Sequence, residues 1–331
     1  MTADLDRQFA GKRVMITGGL GFIGSNLAHR LAAAGAHVLL VDSLIPEYGG
    51  NLYNICGIEN RVQVNISDVR DTYGVNYLVQ GQEYIFNLAG QVSHLDSVED
   101  PVTDLEINAR AQVTLLEACR RQNPGVRIVF AGTRQIYGRP QYLPVDERHP
   151  LAPVDPNGIS NAAGEWYHLL YSELHGVHAC SLRLTNTYGP RMRVRDARQT
   201  FIGWWFRQIV EGQEIQIYGD GAQIRDFNFV DDVLDAMLLA AASPKSAGRV
   251  YNLGAEPISL KAVAEMLVEL NGSGSYRLVP FPAARKAIDI GDYYGDTKRI
   301  AEELSWRPQT GLREGLAQTI QYYKTHARHY W

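Results

Sequence analysis

One stretch limits what this chain can fold into more than any other: Lys12-Arg-Val-Met-Ile-Thr-Gly-Gly-Leu-Gly-Phe-Ile-Gly-Ser-Asn26. Arg13 to Ile16 is a short apolar run with the character of a buried strand, and glycines follow at once. Ile23, Leu27 and Leu31 then repeat at helical spacing. Strand, glycine turn and helix, in that order, are the context of a dinucleotide-binding unit. Gly18 permits the tight turn, Gly21 lets the backbone approach a pyrophosphate, and Gly24 lets the helix pack close to the strand. The phosphates would sit on the free N–H groups of the helix N-terminus, where the dipole favours negative charge.

The spacing is Gly18-x-x-Gly21-x-x-Gly24, preceded by Thr17, rather than the commoner G-x-G-x-x-G. A second apolar run, His37-Val-Leu-Leu-Val41, ends in Asp42. An acid there accepts hydrogen bonds from ribose hydroxyls and repels a 2′-phosphate, so NAD is expected over NADP.

The rest of the first half alternates β and α at parallel-sheet spacing. A loop, Ser43 to Asn51, precedes a strand near Val62–Val64. Further strands follow at Tyr84–Leu88, Val126–Ala131 and Ala179–Leu184. Long helices are expected from Pro101 and over Asn157–Leu174. This implies an α/β, Rossmann-type doubly wound parallel sheet with its ligand at the strand C-termini. After Pro190 the pattern loosens. Helices near 202–211, 233–241, 260–270 and 312–323 are separated by short strands and loops, too irregular for a second such unit. The expected division is an NAD-binding domain over residues 1–185, to which some later segments return, and a smaller mixed α/β substrate lobe over 186–331.

A net charge of −4 over 331 residues gives no reason to expect nucleic acid or an anionic membrane as partner. No apolar run approaches membrane-spanning length, and the polar Met1-Thr-Ala-Asp-Leu-Asp-Arg carries no signal-peptide core. Cys56, Cys119 and Cys180 lie far apart without metal spacing. They read as buried thiols of a reducing cytoplasm, with no metal site.

Motifs across nearly the whole length resemble the extended short-chain dehydrogenase/reductase family, the group of NAD-dependent nucleotide-sugar epimerases and 4,6-dehydratases. They are Thr17-Gly-Gly-Leu-Gly-Phe-Ile-Gly24, Asp68-Val-Arg-Asp71, Leu88-Ala-Gly90, Asn108, Thr133-x-x-Ile-Tyr-Gly138, Gly164-Glu165 and Arg183-Leu-Thr-Asn-Thr-Tyr-Gly-Pro190. Ile217-Tyr-Gly-Asp-Gly221, Gln223-Ile-Arg-Asp226, Val230-Asp-Asp232 and Tyr251-Asn-Leu-Gly254 complete the set. The resemblance implies a cofactor lined by Gly18, Gly21, Phe22, Ile23, Gly24, Asp42, Ser43, Leu88, Ala89, Gly90, Asn108 and Asn161, with Asp68 and Val69 bracketing the adenine. It implies a nucleotide-sugar, a UDP-sugar first, held by Asn186 and Arg225 at the diphosphate and by Gln216 and Tyr218 at the base. Arg285 stands for the family's late phosphate-binding arginine, with Lys286 as the substitute. A homodimer is also implied, built on helices near Val102–Cys119 and Asn157–Leu174.

One departure matters. The family's Tyr-x-x-x-Lys pair falls on Asn157 and Asn161. Removing a hydride from a carbinol requires its hydroxyl proton to leave, which a tyrosine does as phenolate, helped by a lysine one helical turn away. Asparagine has no ionisable proton in the working range. It can orient ribose and substrate but cannot act as a base. Thr133 occupies the family's hydroxyl position. His94 and Asp96, after the Ala89-Gly90 turn, are candidates for the missing base. Glu165 and Tyr137 read as structural. Arg134 and Gln135 stand where 4,6-dehydratases carry an acidic pair, so epimerase chemistry is favoured over dehydration. Arg191, Arg193, Arg195 and Arg198 form a basic loop suited to a diphosphate or a uronate carboxylate. The leading expectation is an epimerase working through a keto-sugar with an atypical active site. The rivals are a 4,6-dehydratase-like enzyme and a protein that binds NAD and a nucleotide-sugar without turnover.

Overall fold

A computed structural model describes residues 2–331. In chain order the first half holds α1 (Thr2–Arg7), β1 (Arg13–Thr17), α2 (Phe22–Ala33), β2 (His37–Asp42), β3 (Val62–Ile66), α3 (Thr72–Leu78) and β4 (Tyr84–Asn87). Then come α4 (His94–Glu99), α5 (Pro101–Leu105), α6 (Ala111–Gln122), β5 (Arg127–Thr133), α7 (Pro156–His175) and β6 (His178–Leu184). The second half holds β7 (Asn186–Tyr188), α8 (Phe201–Val210), β8 (Glu214–Tyr218), β9 (Ile224–Arg225), β10 (Phe227–Phe229), α9 (Val230–Ala242) and β11 (Val250–Asn252). It ends with β12 (Ile258–Ser259), α10 (Leu260–Asn271), β13 (Ser275–Val279), α11 (Ala283–Ala287), α12 (Lys298–Leu304) and α13 (Leu312–His326).

Seven strands form one parallel sheet in the order β11-β6-β5-β4-β1-β2-β3. Strands buried on both faces read as unbroken apolar runs, and β1 obeys: Val14, Met15, Ile16 and Thr17 are all buried. The strand order reverses between β1 and β4, which pair from Val14↔Tyr84 to Thr17↔Asn87. A ligand crevice belongs at that reversal, beyond the strand C-termini.

Helix α7 is bounded by its sequence. Asp155 caps it by accepting from Gly158 N–H at 2.7 Å, Pro156 opens its first turn, and Gly176 closes it at φ +66°. The helix from Pro101 runs to Gln122, interrupted by a π-helical turn at Glu106–Arg110. Inserted turns of this kind are frequent at functional sites.

The second half is woven into the first. Strand β11 pairs with β6 from Val250↔Ser181 to Asn252↔Arg183, closing one edge of the main sheet. Helix α9 packs on α2 and β5. Three two-stranded ladders build the remainder: β7 with β10, β9 with β12, and β8 with β13. These strands of two to five residues are too short to show a period in the sequence. Ser43–Asn51 is not a featureless loop, since Pro46–Tyr48 forms a 3-10 turn. Cys119 and Cys180 are buried, and burial pushes both thiols up to about 12. Cys56 corrects the expectation of three buried thiols: it is exposed, at the end of the short turn Leu52–Ile55. Among the described residues no helix is long and apolar enough to cross a membrane, and no cluster of His, Cys, Asp and Glu is arranged to hold a metal.

Candidate active site

One cleft of about 660 Å³ runs from the glycine turn to the β8–β13 ladder. At its first end Gly18 adopts φ +66°, and a Cβ there would lie 3.0 Å from Leu88 O. A Cβ on Gly24 would lie 2.3 Å from Gly18 O, so α2 approaches the turn as only glycine allows. Thr17 Oγ1 locks the opposite wall. It donates to Asn87 Oδ1 and accepts from the N–H groups of Leu88 and Ala89 at 3.0 and 3.1 Å. Phe22, Ile23, Ser43, Val69, Gly90 and Asn108 line the same end.

Asp42 is buried, and burial raises its carboxyl, opposed by the N–H groups of Leu44 and Leu20, each 2.9 Å away. Its oxygens thereby hold both loops that frame the cleft. Asp68, also lining it, is held below its ordinary value by its hydrogen bonds from Arg70. A close-approach glycine turn, a helix N-terminus and an acid at the end of β2 fit a dinucleotide.

In the middle of the cleft, Thr133 ends β5 and Asn157 opens α7 beside it. Asn157 is 3% exposed and its amide is turned inward. Nδ2 lies 2.7 Å from Gln91 O and 3.0 Å from Asp104 Oδ2. Asn108 donates to the same Asp104 oxygen at 3.0 Å and clasps the Gln91 backbone. Asn161 donates to Asn157 O at 2.9 Å. Burial raises the Asp104 carboxyl, while hydrogen bonds from Ser160, Asn157 and Asn108 oppose it. Asn157 therefore belongs to a buried polar network, and half-buried Asn161 is attached to it through the Asn157 carbonyl.

His94 also lines the cleft. Its Nδ1 lies 2.8 Å from Asp155 Oδ2, and its Nε2 lies 2.9 Å from Gln135 Nε2. Burial alone would raise the Asp155 carboxyl, but the imidazole and the Gly158 N–H outweigh it and hold it below the ordinary value. An oxygen against Nδ1 favours the proton there and leaves Nε2 as the acceptor. Asp96 is not brought to the cleft wall; it pairs with Arg198 at 3.2 Å. Residues two apart on a helix face different sides, so α4 aims His94 inward and Asp96 elsewhere. Glu165 is buried against Arg183 and Ser181, and Tyr137 bonds Asn252 and Arg183. Both are structural.

At the far end Asn186, Gln216, Tyr218, Arg225 and Arg285 converge on the cleft. Tyr218 and Phe281 pack with ring centroids 5.5 Å apart, and the Arg285 guanidinium lies 5.8 Å from the Tyr218 ring. Lys286 is exposed and lies off the wall. Arg225 is buried, donating to Ile224 O at 2.8 Å and to Gly291 O. Burial, with the charge of Arg134 beside it, pulls its guanidinium down to about 10. The basic loop is dispersed: Arg191 bonds Asn26, Arg193 pairs with Asp196, and Arg198 alone of the four lines the cleft.

Sequence reading missed Gln91, Asp104 and Asp155. Asp155 had a local signal, an Asp-Pro helix start. Gln91 and Asp104 had none, because their roles arise across 66 and 53 residues.

The model of the NAD-dependent epimerase/dehydratase family matches residues 14–254. The UDP-glucose 4-epimerase of Mycolicibacterium smegmatis is 31% identical over 317 residues, covering 94% of this chain and 98% of its own. The structure of an epimerase from Methanothermobacter thermautotrophicus superposes with a TM-score of 0.92 at 26% identity, covering 99% and 96% of the two chains. That of the UDP-glucose 4-epimerase of Thermotoga maritima, with UDP-glucose, gives 0.85 at 28% identity, covering 95% and 99%. With its doubly wound sheet, glycine cradle and matching length, the chain belongs to the NAD-dependent epimerase/dehydratase family.

Proposed function

We propose that this protein is a nucleotide-sugar epimerase, acting on a UDP-sugar through a transient keto-sugar, with His94 in place of the usual tyrosine as proton acceptor. The observation that carries the reading is the single cleft. It joins the glycine cradle and Asp42 at one end to Asn186, Arg225 and Tyr218 at the other, with His94 and Thr133 between. NAD, when bound, supplies the hydride acceptor and donor for inverting a sugar carbon. Gly18, Gly21, Gly24, Asp42 and Asp68 would hold it. Thr133 Oγ1 would position the sugar hydroxyl. With the sugar hydroxyl displacing the Gln135 amide from it, His94 Nε2 would take that hydroxyl's proton, and Asp155 would stabilise the imidazolium that results. Tyr218, Phe281 and Arg285 would hold the base, and Asn186 and Arg225 the diphosphate.

The test is separation of epimers after incubation with NAD and UDP-glucose or UDP-galactose. Turnover by the native chain, reduced by about 10²–10⁴-fold in His94→Ala, is the expected result. Absence of turnover with demonstrable binding of both ligands supports the second reading, a binding protein. The network that turns the Asn157 amide inward, onto Gln91 and Asp104, favours that reading.

Assembly as a homodimer is part of the proposal. Ile159, Trp166, Leu170 and Leu174 form an exposed apolar stripe along α7, and Val98, Val102 and Leu105 lie exposed on α4 and α5. Such a patch marks an interaction surface. A cytoplasmic role in carbohydrate biosynthesis completes the proposal.

A further inference from the structure

We propose that Arg134 selects a sugar bearing a carboxylate, so that the substrate is a nucleoside-diphosphate uronic acid or a hexose carrying another carboxylate. This rests on reading the cleft as a nucleotide-sugar site.

Arg134 lines the cleft and is 8% exposed. Among the described residues no carboxylate pairs with it. Its Nη2 donates to Asn186 Oδ1 at 3.3 Å, its guanidinium lies 5.0 Å from the Tyr293 ring centroid, and its buried Nη1 has no partner. Asp226 is the nearby buried acid, but its oxygens accept from Thr185 Oγ1 and from Gly295 N–H. Burial pulls the Arg134 guanidinium below its ordinary value. A buried cation with an empty donor is costly unless an anion completes it. The guanidinium fork matches a carboxylate with two parallel hydrogen bonds.

Its place along the chain says which anion. Arg134 directly follows Thr133, and the next residue, Gln135, touches His94. The guanidinium therefore stands between the reacting end, to which its chain neighbours belong, and Asn186 and Arg225, the first of which it bonds and the second of which it lies beside, while Tyr218 and Arg285 mark the nucleotide end. An anion held there, between the reacting carbon and the diphosphate, is a substituent of the sugar.

The experiment is calorimetric titration of UDP, UDP-glucose and UDP-glucuronate into the native protein, Arg134→Met and Arg134→Lys. The native chain should bind UDP-glucuronate at least tenfold more tightly than UDP-glucose. Arg134→Met should abolish that preference while leaving UDP within twofold, and Arg134→Lys should retain part of it. Equal affinity of the native chain for the two sugars overturns the proposal alone, whether or not the methionine variant folds. A loss of UDP affinity in Arg134→Met as large as the loss for UDP-glucuronate assigns the guanidinium to the diphosphate and also overturns it. Failure of the native chain to bind UDP at all removes the nucleotide-sugar reading, and this proposal with it.

Discussion

The amide of Asn157 donates to the carboxylate of Asp104 at 3.0 Å, although 53 residues separate them. Asn157 thus occupies its position as a bonded member of the core rather than as a gap left by a larger residue. Converting Asn157 to Tyr and Asn161 to Lys therefore does not simply restore the family's usual pair, because the change strips a donor from buried Asp104. Asn157→Tyr should cost about 1–3 kcal/mol, the range for an unsatisfied buried polar group. A cycle of Asn157→Ala with Asp104→Ala, followed by urea unfolding, should show coupling of about 0.5–3 kcal/mol. Additive losses would mean that the contact carries no energy.

Cofactor choice should follow Asp42. A 2′-phosphate would approach a carboxylate whose oxygens already hold the Leu20 and Leu44 N–H groups. NAD(H) should bind more tightly than NADP(H) by intrinsic fluorescence titration. Equal or tighter NADP binding would remove Asp42 from the ribose site.

Stability should fall in mild acid because of His168. It is buried, stacked on Phe130 with centroids 4.4 Å apart, and donates Nδ1–H to Gly164 O at 2.7 Å. Burial lowers it from 6.5 to about 4. Between those values the unfolded chain binds the extra proton, so stability is complete above about pH 6.5 and declines toward pH 4. The full decline from this group is roughly 3 kcal/mol. Unfolding midpoints measured from pH 7 to pH 5 should decrease, and His168→Gln should flatten that slope. An unchanged slope in the variant would assign the acid sensitivity to other groups.

The apolar stripe on α7 should be an interface between copies. Leu170→Glu combined with Leu174→Glu should convert a dimer into a folded monomer by light scattering at micromolar concentration. A native chain that is already monomeric would leave that stripe for another role.

The sequence carried the fold because its signals are local. The glycine turn, Asp42 at the end of β2, and the apolar runs of β1, β2 and β4 each declare themselves within a few residues. The site was legible where it sits at strand ends, as with Thr133 and Leu88–Gly90. It was not legible where chemistry comes from packing. Asp155 reaches His94 only after α7 docks against α4, and Asp104 reaches Asn157 only after α5 docks against α7. The ladders β7–β10 and β9–β12 were invisible because two or three residues cannot display a period.

Strand β11 gives the order of synthesis a physical cost. Until Val250–Asn252 have emerged from the ribosome, β6 is the open edge of a nearly complete parallel sheet, its backbone N–H and C=O groups on that side unpaired. Such an edge is a template for pairing with another chain. The nascent first half is therefore the species most exposed to misassembly, and a fragment ending near residue 185 would keep that exposure permanently.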